Sequence, residues 1–282
     1  MIDGLVSVVI PAFNEANIVT RCLTETVTAL ESLGAPYEVI LVDDGSSDGT
    51  ADLARTAAEL LPRVRVIGHD VNLGKGSALA RGALSALGTV VLFVDADLEV
   101  HPRQLTLLLD KLESSGADVV IGSKLHPDSQ VDVPQGRHLL SVGYYVLVRA
   151  LFRLPVHDTQ TGLKLFRREP LLRVLPRLLV KRFAHDLEVL VNVHRLGYRI
   201  EEVPVVVTRA RPFPRIGWRD IWWTAWDTAA IWYRMYLLRY YDRVGAVTDA
   251  DRARSLEAGV VDLEGTALLA GAHNGKRESQ RT

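Results

Sequence analysis

Asp95-Ala96-Asp97 directly follows the apolar run Val90-Val91-Leu92-Phe93-Val94. In a continuing strand these two carboxylates would point to opposite faces. If the chain turns there, both converge on one cation. Carboxylate oxygens select hard cations such as Mg2+ or Mn2+, although a strand-to-helix turn capped by aspartate has the same spacing. A second acidic pair opens Asp43-Asp44-Gly45-Ser46-Ser47-Asp48, again after an apolar run. Its carboxylates can accept hydrogen bonds from a base and a ribose, whereas Ser47 and Asp48 suit turn and helix-cap chemistry. Asn72-Leu73-Gly74-Lys75-Gly76 sets a lysine between two glycines ahead of a helix. There the backbone can approach a phosphate closely and the ammonium supplies a point charge; a plain loop is the competing reading. The spacing is not that of a Walker loop, and Leu79 stands where the dinucleotide fingerprint needs its third glycine. His157-Asp158 and His185-Asp186 are adjacent pairs, but the sequence contains neither His-Glu-x-x-His nor Cys-x-x-Cys, which disfavours a zinc hydrolase or a structural zinc site.

These groups share a position relative to the elements that must hold them. Short apolar runs at 5–10, 39–42, 64–67, 90–94 and 119–121 read as buried strands. Between them, helices are expected at 16–33, 48–61 and 77–87, with a fourth opening at Pro102. Pro11, Phe13, Asn14 and Glu15 come just after the first strand, and Asp43 and Asp44 just after the second. Gly74 and Lys75 follow the third, Asp95 and Asp97 the fourth, and Gly122, Ser123 and Lys124 the fifth. Repeated strand–helix alternation with short connections predicts an α/β fold, a mostly parallel sheet with helices on both faces. In such sheets ligands bind at the carboxyl ends of the strands. The second half predicts helices at 139–154, 171–179 and 184–196, and a strand at 203–207 whose Pro204 favours an edge. Residues 218–241 read as an aromatic helix.

Composition narrows the class. The chain has 282 residues, 33 Lys plus Arg against 34 Asp plus Glu, and 48% hydrophobic residues. A near-zero net charge gives no case for nucleic-acid binding, and the length can bury a full core. The one cysteine, Cys22, cannot form an intramolecular disulfide and fits a packed position in a reducing compartment. Met1-Ile2-Asp3-Gly4 puts an acid where a secretory leader carries Lys or Arg, so no targeting peptide is expected. No run of about 18 apolar residues predicts a membrane span. All 5 tryptophans fall between Trp218 and Trp232.

Taken together and in this order, Val9-Ile10-Pro11-Ala12-Phe13-Asn14-Glu15, Val42-Asp43-Asp44-Gly45-Ser46, Asn72-Leu73-Gly74-Lys75-Gly76 and Asp95-Ala96-Asp97 resemble the inverting family 2 glycosyltransferases of the GT-A nucleotide-sugar-binding fold. Within that family the chain looks like the dolichyl- or polyprenyl-phosphate hexose synthases. Asp158-Thr159-Gln160-Thr161-Gly162-Leu163-Lys164-Leu165-Phe166 is similar to the Asp-Thr-Gln-x-Gly-Phe-Lys-Leu-Phe of the glucose synthases. Phe183-Ala184-His185-Asp186-Leu187-Glu188 is similar to their Trp-x-Phe-Asp-x-Glu. Lys124 stands in place of an arginine, which keeps the charge but loses the bidentate fork. His185 stands in place of an aromatic residue.

The resemblance implies a catalytic domain over 1–210; the aromatic pattern adds an amphipathic membrane-interface region over 211–244, and the Ala/Gly-rich, polar composition of 245–282 a weakly ordered tail. It implies a nucleotide diphosphate sugar held by Pro11, Phe13, Glu15, Asp43, Asp44, Lys75, Asp95, Ala96 and Asp97. UDP-glucose is favoured, then GDP-mannose, with Mg2+ or Mn2+ on Asp95 and Asp97. The acceptor would be a polyprenyl monophosphate clamped by Lys124, Arg137 and Ser141, and Asp158, Gln160, Asp186 and Glu188 would shape the sugar pocket or its loop. Asp95, Asp97, Lys124 and Arg137 are thereby implied in catalysis. Because a phosphate acceptor is already anionic near neutrality, no strong general base is required. A lipid acceptor implies peripheral attachment on the cytoplasmic face of a membrane, and the aromatic segment supplies the surface for it: Asp220, Asp227 and Arg234 mark a polar stripe, and Trp222, Trp223 and Trp226 add aromatic surface. Packing of that helix on the core or on a partner accounts for the same pattern. Two rivals are a related transferase with a soluble or glycan acceptor and a non-catalytic nucleotide-sugar-binding protein.

Overall fold

A computed structural model describes residues 4–131, 135–180, 184–208 and 218–244. The first half runs β1 (Val6–Ala12), α1 (Val19–Glu31), β2 (Tyr37–Asp44), α2 (Thr50–Leu60), β3 (Val64–His69), α3 (Lys75–Ser85), β4 (Val90–Phe93), α4 (Leu105–Ser115) and β5 (Val119–Ser123). The second half adds β6 (Gln130–Val131), α5 (Gln135–Phe152), β7 (Lys164–Arg167), α6 (Arg168–Val174), α7 (His185–Arg195), β8 (Ile200–Pro204), β9 (Val206–Val207) and α8 (Trp218–Trp232). The seven-stranded sheet has the order β3-β2-β1-β4-β7-β5-β8. It is parallel except at β7, which runs antiparallel to both β4 and β5. That reversal brings the 158–163 segment to the carboxyl ends of β4 and β5. β8 lies at the sheet edge, where Pro204 costs no ladder bond.

Alternation along each strand sorts the core. Val6, Val8 and Ile10 of β1 join Val39 and Leu41 of β2 beneath Cys22, Leu23, Val27 and Leu30 of α1. Burial there pushes the Cys22 thiol up to about 12, so it is an inert packing group. On the opposite face Gly82 lets α3 close on β1: a Cβ at this position would overlap Val9.

Several boundaries differ from the sequence reading. β1 continues past Pro11 to Ala12, where a stop at Pro11 was expected. Val9 faces β4, since its carbonyl accepts the Val94 N–H at 3.1 Å. Pro11 therefore faces the same side, beyond the end of β4, where a missing N–H leaves no ladder bond unmade. α3 begins at Lys75, which puts that lysine in the helix's first turn. β7 was not expected as a strand at all. The aromatic helix does not run unbroken to 241: it gives way to a π-helical turn at Tyr233–Leu237.

The chain divides into two compact units, Met1–Trp232 and Tyr233–Thr282. α8 belongs to the first, and the Tyr144 hydroxyl of α5 shares a 3.1 Å hydrogen bond with Thr228 of α8. Trp222, Trp223 and Trp226 are exposed, Trp222 by 66%. Among the described residues no helix is long and apolar enough to cross a membrane. The expected tail at 245–282 lies outside the described residues.

Candidate active site

The loops after β1 and β2 are sewn together. The Asn14 N–H donates to Ser46 Oγ at 2.9 Å, and the Ser47 N–H donates to Asn14 Oδ1 at 3.0 Å. Likewise the Glu15 N–H donates to Thr50 Oγ1 at 2.8 Å and the Ala16 N–H to Asp48 Oδ2 at 3.0 Å. Asn14 takes a left-handed φ of 55° to make this turn. Phe13 is 45% exposed beside it, a ring face open to a flat ligand. Gly45-Ser46-Ser47-Asp48-Gly49 has the Gly-x-Ser-x-Gly spacing of a nucleophile elbow. Ser47 nevertheless sits on this exposed turn, with no histidine bonded to it among the described residues.

Asp43 and Asp44 end β2 and leave it on opposite faces. Asp43 Oδ2 accepts the Ser46 N–H at 3.2 Å. Its other oxygen is buried and lacks a partner among the described residues, so it is an acceptor available to a ligand. Asp44 is spent differently. Oδ1 accepts the Leu73 N–H at 3.0 Å and meets His69 Nδ1 at 2.8 Å, and Oδ2 accepts the Gly74 N–H at 2.7 Å. This carboxylate fastens the loop that starts α3, and both of its oxygens are engaged within the protein. Asp44→Ala is expected to strand three buried or half-buried donors and to lower stability by roughly 2–4 kcal/mol, read from urea unfolding.

Past β4 the chain does turn. Leu98 takes φ 58°, and Asp97 Oδ1 accepts the Glu99 N–H at 3.0 Å. Ala96 is buried between the two aspartates. Burial and the neighbouring Asp95 charge raise the Asp97 carboxyl to about 6. Two crowded carboxylates, of which only Asp95 is ion-paired among the described residues, suit a hard divalent cation. No group of three or more His, Cys, Asp or Glu side chains suited to a metal occurs among the described residues. Asp95 and Asp97 would thus supply two ligands, leaving the other positions to diphosphate and water oxygens, as Mg2+ sites commonly do.

Lys75 reaches these acids from α3. Its Nζ lies 2.6 Å from Asp95 Oδ1 and 3.8 Å from Asp186 Oδ2. Burial works against the ammonium, but Asp95 and Asp186 outweigh it and hold Lys75 above its ordinary range. Asp186 in turn bonds Lys164 Nζ at 2.8 Å. Burial opposes its ionisation, yet Lys164 and then Lys75 pull it down to about 2. Glu188, fully buried, accepts the Leu179 and Val180 N–H groups at 2.9 and 2.8 Å and so ties those two residues to the first turn of α7. Neither Asp186 nor Glu188 is a solvated helix-surface acid.

The 158–164 segment binds the pieces together. Asp158 Oδ2 accepts the Lys124 N–H at 3.0 Å and the Thr161 hydroxyl, and Oδ1 accepts the Gln160 N–H at 2.8 Å. Gly162 lies flush against Asp95, so that a Cβ there would overlap the carboxylate. The Gln160 side chain lies near the half-buried Tyr144 hydroxyl that meets α8. Lys124 is half-buried at the end of β5 and makes no ion pair among the described residues. Ser141 is exposed on α5. Arg137 falls in the first turn of that helix, and its side chain lies outside the described residues.

The sequence reading missed Lys164. A lysine inside the run Leu163-Lys164-Leu165-Phe166 was the available signal, because a charge within a buried strand demands a partner.

Residues 7–175 match the family profile described as Glycosyl transferase family 2. Glycosyltransferase AglD of Haloferax volcanii is 36% identical over 202 residues, covering 71% of this chain and 32% of that one. Dolichyl-phosphate beta-glucosyltransferase of Dictyostelium discoideum is 34% identical over 218 residues, 72% of this chain and 67% of its own. The Saccharomyces cerevisiae protein of the same name is 33% identical over 218 residues, 71% and 65%. The chain thus spans about a third of AglD and about two-thirds of the two glucosyltransferases. Among solved structures, glucosyl-3-phosphoglycerate synthase of Mycobacterium tuberculosis in complex with Mn2+, UDP and phosphoglyceric acid aligns with TM-score 0.62 and 25% identity. That alignment covers 81% of this chain and 77% of that one. The sheet, the turn after β4 and these matches agree with the GT-A fold expected from the motifs, and this chain belongs to glycosyl transferase family 2.

Proposed function

We propose that this chain transfers glucose, with inversion, from UDP-glucose to the phosphate of a polyprenyl lipid at a membrane surface. The observation that carries the reading is the 158–164 segment, which abuts Asp95 through Gly162 and reaches α8 through Gln160, Tyr144 and Thr228. One loop thereby links the diphosphate end of the site to a helix with exposed tryptophans. The relatives named dolichyl-phosphate beta-glucosyltransferase support the donor sugar and the acceptor class.

The roles follow from the chemistry of each group. Phe13 and the free oxygen of Asp43 take the base and the ribose. Asp95 and Asp97 hold Mg2+ or Mn2+, which when bound neutralises charge gathering on the leaving diphosphate. Asp186 has one oxygen bonded to Lys164, the other facing Lys75 at 3.8 Å, and a carboxyl near 2, so it is a poor proton acceptor at neutral pH. An acceptor that arrives deprotonated, as a phosphate does, needs none. Lys124, Arg137 and Ser141 are assigned to that phosphate, with Asp158 holding the Lys124 backbone. A soluble phosphate-bearing acceptor is the second reading, favoured by the fold match to glucosyl-3-phosphoglycerate synthase.

Parallel incubations separate the two. The chain receives labelled UDP-glucose, GDP-mannose or UDP-N-acetylhexosamine with Mn2+, against polyprenyl phosphate in vesicles or 3-phosphoglycerate in solution. Label is expected in lipid from UDP-glucose alone. Label in phosphoglycerate with none in lipid would replace the first reading by the second. The membrane contact is tested apart from catalysis: Trp222→Ala with Trp226→Ala is expected to weaken vesicle flotation by about tenfold or more, because both rings are exposed. Unchanged flotation would remove α8 from the account.

A further inference from the structure

The Asp95, Lys75, Asp186 and Lys164 side chains form a line of alternating charge, and its two ends differ. Lys164 is 1% exposed and its ammonium also donates to the Thr161 carbonyl. Asp186 is 9% exposed and sits in the first turn of α7. At the other end the Lys75 and Asp95 side chains are 35% and 31% exposed. The backbone fixes the spacing of the middle pair. The His185 ring lies against Gly76, where a Cβ would come within 2.6 Å of it, so the starts of α3 and α7 are in contact. Asp186 also divides its oxygens: Oδ1 takes Lys164, while Oδ2 faces Lys75 from 3.8 Å.

We propose that Asp186 is a standing counter-charge to which Lys75 moves from Asp95 when a divalent cation takes the Asp95–Asp97 pair, with Lys164 as the positioning residue that holds Asp186 in place. The inference rests on the cation site proposed above. An ammonium 2.6 Å from Asp95 Oδ1 would share that oxygen with a dication, and like charges so close in a half-buried site repel strongly. Lys75 needs only a rotamer change of roughly 1 Å to close on Asp186 Oδ2, which is already ionised and turned towards it. Asp186 cannot travel to meet it, because Lys164 anchors the other oxygen. Exchange keeps the local charge paired in both states. Without Asp186, Lys75 would stay on Asp95 and compete with the cation.

The test is a double-mutant cycle on Mn2+ binding, read by electron paramagnetic resonance of free Mn2+ with no nucleotide and no turnover. Asp186→Asn is expected to weaken Mn2+ binding by about tenfold. Lys75→Gln is expected to change the otherwise unaltered chain by less than about threefold, yet to recover the whole loss in the Asp186→Asn background. Simple electrostatics without exchange gives effects that add, and additive effects would overturn the proposal. Asparagine keeps an oxygen for Lys164. A second cycle built on Asp186→Asn with Lys164→Gln removes the buried charge as well and is expected to show the same coupling. Should the unaltered chain bind Mn2+ only when UDP supplies diphosphate oxygens, the cycle is read with UDP present; no binding even then would remove the cation site itself. Binding with additive effects would overturn the exchange alone.

Discussion

Asp95→Asn is expected to lower glucosyl transfer by about 10³-fold or more while leaving the chain folded. The carboxylate is placed to serve twice, as one of two ligands offered to a divalent cation and as the partner of Lys75 at 2.6 Å. Removing its charge leaves Asp97 alone for the cation. Lys75 still has Asp186, so no ammonium is stranded and thermal unfolding should move little. Asp95→Glu is expected to fail nearly as badly. Gly162 is packed against this carboxylate, and a side chain one methylene longer has no room to keep its oxygens in place. Steady-state rates with saturating Mn2+, set beside a melting curve, check both variants. Activity within tenfold in either would remove Asp95 from the reaction centre.

The second large effect is expected at a residue with no functional group. In Gly162→Ala the new methyl would overlap the Asp95 carboxylate, so either the loop or the aspartate must shift. A displacement near 1 Å at a site that acts by positioning costs about 10²-fold in kcat. Overpacking alone should cost roughly 1–3 kcal/mol of stability. Weaker Mn2+ binding together with a fall in kcat and an intact circular-dichroism spectrum is the signature of a misplaced Asp95. Loss of stability with normal kcat in the folded fraction would show that Gly162 only fills space.

Much of this was legible before any coordinates. Short continuous apolar runs marked β1, β2, β4 and β5, and the polar residues after them marked the site edge, because a parallel sheet gathers its strand ends on one side. What stayed hidden was long-range. The four residues of β7 look like the tail of a loop motif, and only pairing with both β4 and β5 makes them a strand. Asp44 reads in sequence like a twin of Asp43, yet strand alternation sends it to His69, Leu73 and Gly74. Lys164 and Asp186 lie 22 residues apart, so their contact follows from the antiparallel return of β7 and from no local pattern. The short reach of Pro11 as a strand breaker was likewise set by a neighbour, since β4 ends before it could use the missing N–H.

One measurement tests the central claim most directly. The purified chain is incubated with UDP-glucose labelled with carbon-13 at the anomeric carbon, Mn2+ and polyprenyl phosphate in vesicles, and the lipid product is analysed by mass spectrometry and NMR. The account predicts one hexose per lipid, the labelled carbon coupled to a single phosphorus and carrying a β linkage inverted from the α linkage of the donor, with no product from Asp95→Asn. Unmodified lipid alongside intact UDP-glucose, or a hexose joined with retained configuration, would contradict it.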